Sequence, residues 1–169
     1  MSMRGAIASL GLLLLWTGAA EAQRPGGPGG GGGGGGGAPT ATAVTPVQSL
    51  DFGLLVPALA EQVTVQQSWR RAEVRLEGNG QLEIRIMLPT DLTSTAGSTI
   101  PLSFRAGDGA YVLDGSTQLS FFDPTRPVRI NMKTGGAQLL LGGTATPAAT
   151  QAAGNYGATV VVVLAPSSF

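Results

Sequence analysis

The chain has 169 residues, with ten Lys/Arg balanced by ten Asp/Glu, no histidine and no cysteine. A neutral, sparsely charged chain lacks the electrostatic drive for binding nucleic acid or anionic lipid. The missing residue types remove disulfides, the commonest general base and the commonest transition-metal ligand, and with them most hydrolase triads.

The first element is an export leader. Arg4 is the single charge near the start, and Gly5 to Ala20 is uncharged and too short for a spanning helix, which needs about 20 apolar residues. Small residues at Ala20-Glu21-Ala22 complete the three-part pattern of a cleaved signal peptide over residues 1–22, with Gln23 as the new N-terminus. Loss of Arg4 and Glu21 leaves nine charges of each sign. The expected location is outside the cytoplasm: periplasm, outer surface or medium. No later segment is long and apolar enough to span a bilayer, so the mature chain has no integral membrane segment.

Residues 23–38 follow, with nine consecutive glycines from Gly29 to Gly37. Glycine buries no side chain and loses the most backbone entropy on ordering, so this stretch reads as a disordered tether. The remainder, residues 39–169, is expected to form one domain. Thr40-Ala41-Thr42-Ala43-Val44 opens it as a strand of small residues. Two fates fit: it completes its own sandwich, or it inserts into a neighbouring subunit by strand addition. Ala41 and Ala43 offer little to fill a neighbour's pockets, and Pro46 interrupts pairing unless it lies on an edge, which favours self-completion.

Period-two alternation marks the strands that follow. Ala72, Val74 and Leu76 alternate with Arg71, Glu73, Arg75 and Glu77; beyond Gly78-Asn79-Gly80, Leu82, Ile84, Ile86 and Leu88 repeat the pattern. The pair is expected to be a hairpin with a three-residue loop, Leu76 facing Leu82 and Arg75 facing Glu83, because that register buries one apolar face. Further strands are expected at 61–67, 98–106, 110–114, 118–122, 127–133, 137–142 and 155–165. Asp108-Gly109, Asp114-Gly115, Asp123-Pro124, Gly135-Gly136 and Gly142-Gly143 provide turns between them. Val160 to Leu164 is continuously apolar, as in a strand covered on both faces. The fold class is all-β, a single antiparallel sandwich of immunoglobulin-like or pilin-like type.

Several motifs in sequence carry a resemblance. Leu50-Asp51-Phe52-Gly53 follows an Ala/Thr/Val-rich strand, and the alternating pair closes on Leu88-Pro89. Leu141-Gly142-Gly143-Thr144 and Ala153-Gly154-Asn155-Tyr156-Gly157 then precede the valine strand. In this order, over Thr40 to Ala165, they resemble the bacterial domain-of-unknown-function family numbered forty-four-oh-two. The resemblance implies a secreted, pilin-like β-sandwich, loosely similar to fimbrial subunits and spore coat protein U, and it transfers no catalytic residues.

Candidate chemistry is thin. Asp108, Asp114 and Asp123 offer oxygen ligands for calcium, but Asp before Gly is the ordinary composition of a tight turn. Ser103 or Ser120 with Lys133 has no supporting spacing. Glu73, Glu77 and Glu83 suit a solvated charged face better than a glycosidase pair. No catalytic residue, metal ligand or cofactor is assigned, and the expectation is a non-enzyme. Two function classes follow. One is an exported structural or assembly subunit of the bacterial cell surface, pilin-like or coat-like, joined to itself or another surface subunit by strand addition. The other is a secreted adhesion module that recognises a glycan or surface protein through sandwich loops.

Overall fold

A computed structural model describes residues 6–14, 43–132 and 135–167. The tether expected at 23–38 lies outside the described residues, as do most of the leader and Lys133. Fourteen strands, and no helix, run in chain order: β1 (Ala6–Leu14), β2 (Ala43–Gln48), β3 (Leu50–Leu55), β4 (Glu61–Val63), β5 (Ala72–Glu77), β6 (Gly80–Met87), β7 (Asp91–Ser94), β8 (Thr99–Ser103), β9 (Gly109–Leu113), β10 (Ser120–Phe122), β11 (Val128–Met132), β12 (Gly136–Leu141), β13 (Gly143–Ala145) and β14 (Asn155–Pro166).

They form two sheets packed face to face. The smaller has the order β10-β9-β12-β5-β2; the larger has the order β11-β6-β14-β7-β8-β13-β4, extended by β1 beside β14 and by β3 beside β1. Alternation explains the packing. Ala72, Val74 and Leu76 of β5 and Ala137, Leu139 and Leu141 of β12 meet Leu82, Ile84, Ile130, Val160, Val162 and Leu164 of the larger sheet in one buried core. Each such aliphatic side chain contributes about 1.5–3 kcal/mol on full burial, so these alternating positions dominate the stability. In β12, Leu140 points the other way, into a second cluster with Val65 and Ala110. That is why three consecutive leucines are accommodated in one strand.

The expected hairpin does not form. β5 pairs with β12 and β2, whereas β6 pairs with β11 and β14. The chain therefore switches sheets at Gly78-Asn79-Gly80, where both glycines have positive φ, 150° and 95°. Leu76 and Leu82 still share the core, but across the sandwich rather than across a ladder. One apolar face per strand is satisfied equally well by either arrangement. The charges pair elsewhere too: Arg75 with Asp114 (2.5 Å) and Glu83 with Arg129 (3.3 Å) and Arg85 (3.0 Å).

Two further differences concern extent. The strand expected at 61–67 stops at Val63, and turns replace the rest; β7 and β13 had no clear alternation to announce them. Along β14, Val160, Val162 and Leu164 are buried while Val161 and Val163 are only half-buried, so its outer face is incompletely covered.

Residues 43–48 complete their own sandwich. Ala43 pairs with Glu77 and Val44 with Leu76 in an antiparallel ladder, which shifts register between Pro46 and Gln48. β2 is the edge strand of the smaller sheet, the place where a proline costs least.

Candidate functional site

The feature with most functional content is the position of β1. It runs parallel to β14, with Ile7 paired to Asn155 through to Leu14 paired to Val162, and antiparallel to β3, with Ala6 paired to Leu55 through to Leu10 paired to Leu50. No other ladder joins β3 to either sheet among the described residues. With strands spaced about 4.8 Å apart, β3 and β14 stand roughly 10 Å from each other with one strand between them. They bound a slot one strand wide.

Each bank of the slot is held on its far side. The opposite edge of β14 pairs with β6 over residues 161–166 and with β7 at residues 156–157. At its start, the buried Tyr156 hydroxyl donates to the Ala152 carbonyl (2.7 Å) and accepts from Gln151 Nε2 (2.8 Å), fixing the entering loop. Leu50, Phe52 and Leu55 anchor β3 in the core with essentially no exposure.

β3 is secured on that far side by a side chain rather than a strand. Arg70 Nε donates to the Asp51 carbonyl (3.0 Å) and Arg70 Nη2 to the Phe52 carbonyl, while the Arg70 carbonyl accepts from the Asp51 amide (2.8 Å). Glu61 holds the guanidinium from behind at 2.6 Å. The strand bulges here, since Ala8 pairs with Gly53 but Ser9 pairs with Asp51, leaving Phe52 unmatched across the ladder. Gly53 takes a φ of 64°, and its amide donates to Asp51 Oδ1 (2.7 Å). The Leu50-Asp51-Phe52-Gly53 motif is thus a bulged strand with its own internal cap and an arginine clamp. Arg70 and Glu61 escaped the sequence reading because their partners are main-chain carbonyls 18 and 19 residues away and a carboxylate in a short strand.

The slot is poor in charge and rich in backbone. β14 carries no ionisable side chain, and β3 carries only Asp51. Several large exposed apolar residues lie in or beside this region of the chain: Leu54, Val56 and Leu59, and Trp69 adjacent to the clamp. Such a place can bind an extended segment through main-chain hydrogen bonds, with apolar contacts at alternate positions.

The residues weighed for chemistry are put to structural use. Asp108 Oδ2 accepts from the Arg105 amide (2.8 Å), within its own turn. Asp114 is engaged twice by Arg75, at 2.6 and 2.5 Å, and this pairing holds the guanidinium pKa above its ordinary value. Asp123 accepts from the Thr125 hydroxyl (2.6 Å) and amide (2.9 Å), which lowers its pKa. Among the described residues, no three His, Cys, Asp or Glu side chains are grouped as metal ligands. Glu73 and Glu77 lie on β5 in one sheet and Glu83 on β6 in the other. Ser103 is on β8 and Ser120 on β10, again in different sheets.

A cleft of about 320 Å³ opens between Leu113–Ser116 and Asn131–Met132. Its one carboxylate, Asp114, is committed to Arg75. No helix among the described residues is long and apolar enough to cross a membrane. No protein-family model matches this chain, and a search of curated proteins likewise finds no match.

Proposed function

We propose that this chain is a non-catalytic, exported structural or assembly subunit of the bacterial cell surface, pilin-like or coat-like. One observation carries the reading: the only strand partner of β3 is Ala6–Leu14, inside the stretch that reads as a removable leader. Loss of residues 1–22 on export would leave facing strand edges on β3 and β14 free to join another chain. The resemblance to the secreted family numbered forty-four-oh-two supports the same conclusion, as does the use of the carboxylates in turns and ion pairs.

The experiment is to express the full gene in a bacterial host and recover the exported protein. N-terminal sequencing is expected to begin at Gln23, and sedimentation velocity is expected to show association that grows with concentration or with added envelope extract. A chain that stays monomeric in both conditions while binding one glycan or surface protein would favour the second reading, an adhesion module. The cleft beside Asp114 is the observation in its favour.

A further inference from the structure

We infer that the slot between β3 and β14 is a receptor for an apolar β-strand of a different protein, inserted parallel to β14 in the place taken by Ala6–Leu14. The inference rests on the assembly reading above and names the partner that the reading leaves open.

Direction and composition come from the ladders. The segment AIASLGLLL is uncharged, and its register sets Ala8, Leu10, Leu12 and Leu14 beside Tyr156, Ala158, Val160 and Val162. Three of those β14 positions are buried, and Ala158 packs against the core. Residues paired directly across a ladder share a face, so an occupant needs apolar residues at alternate positions over about eight residues. On the other bank it must run antiparallel to β3 and tolerate the bulge at Phe52.

The mature chain has no such strand to spare. Residues 23–38 are glycine and proline with Gln23, Arg24 and Ala38; proline lacks the amide a ladder needs, and glycine supplies no contact. The next segment, 43–48, is already the edge of the smaller sheet. Every later strand is engaged in its own ladder. A second copy of this chain therefore cannot provide the occupant without unfolding itself, and the partner must be a chain of another sequence.

The test uses the exported protein isolated after natural processing, with its N-terminus sequenced. A synthetic Gly5–Leu14 peptide carrying a C-terminal tri-lysine tail is the probe; the control peptide carries Leu10→Asp, Leu12→Asp and Leu14→Asp. The probe is expected to bind with one-to-one stoichiometry, raise the melting temperature by at least 5 °C, and slow amide exchange at least tenfold at residues 50–55 and 155–162. The control is expected to do none of these. If the processed chain is unfolded alone, the probe is expected to restore its β-sheet circular dichroism, and failure to do so overturns the inference. The inference also fails if those amides are already protected in the lone processed monomer. Homo-oligomers whose slot amides are protected without a second polypeptide would overturn it while leaving the assembly function standing. An N-terminus that retains residues 6–14 would instead remove the leader reading beneath both.

Discussion

Replacement of Arg70 by alanine isolates the clamp on β3. The wild-type guanidinium makes two hydrogen bonds to main-chain carbonyls of Asp51 and Phe52 and one ion pair to Glu61, with its side chain 21% exposed. Hydrogen bonds to charged groups are worth about 1.5–3 kcal/mol each in net terms. Alanine lets water reach both carbonyls, so the cost falls at the low end, and the Glu61 pair at a partly exposed site adds at most about 1 kcal/mol. The expected loss is therefore about 2–4 kcal/mol, or roughly 5–15 °C in melting temperature for a domain of this size. Arg70→Lys should recover less than half of it, because one ammonium cannot span two carbonyls and a carboxylate. Glu61→Gln should cost under about 1 kcal/mol. Urea denaturation followed by circular dichroism measures all three. An Arg70→Ala midpoint within about 0.5 kcal/mol of wild type would show that the clamp is ornamental and that core burial alone holds β3.

Gly142→Ala is expected to destabilise by about 1–3 kcal/mol in the same assay, because a Cβ there overlaps the Val63 carbonyl oxygen, a backbone atom that cannot swing away. Glu83 has a pKa below its ordinary value because Arg85, and then Arg129, hydrogen-bond its carboxylate. A depressed folded pKa stabilises above the unfolded value and loses that effect as pH falls through the folded one. The stability gap between wild type and Glu83→Gln should thus be constant above roughly pH 5 and shrink towards zero in acid, as a urea series across pH 2–7 would show. Deletion of residues 23–38 should leave the melting temperature nearly unchanged, whereas deletion of 43–48 strips β5 of its partner and should lower it sharply by calorimetry.

Alternation revealed the strands well but not their partners. Val74 and Ile84 each mark an inward face, and an inward face looks the same whether the next strand lies beside it or across the core. The two glycines at 78 and 80 served a sheet switch where a hairpin turn was expected. Residues 6–14 show the same limit in composition. An uncharged apolar run suits a leader and suits equally a strand flanked on both edges, and only its ladders with β3 and β14 reveal that a place exists for it. Arg70 had no local signature at all. Its contacts are main-chain atoms far along the chain, which no spacing rule encodes.

The location of β14 has a kinetic consequence. It is the last described strand, yet it sits inside the larger sheet and carries the ladders to β6 and β7, which lie some seventy residues earlier. β12 likewise reaches back about sixty residues to β5. Loop-closure entropy must be overcome before such distant pairings stabilise anything, so the domain belongs among slow, high-contact-order folders. A chain crossing a membrane N-terminus first would hold an open, unfinished sheet until residues 155–166 emerged. That interval keeps the polypeptide extended while it is being threaded, and it also exposes apolar strands to aggregation unless something shields them.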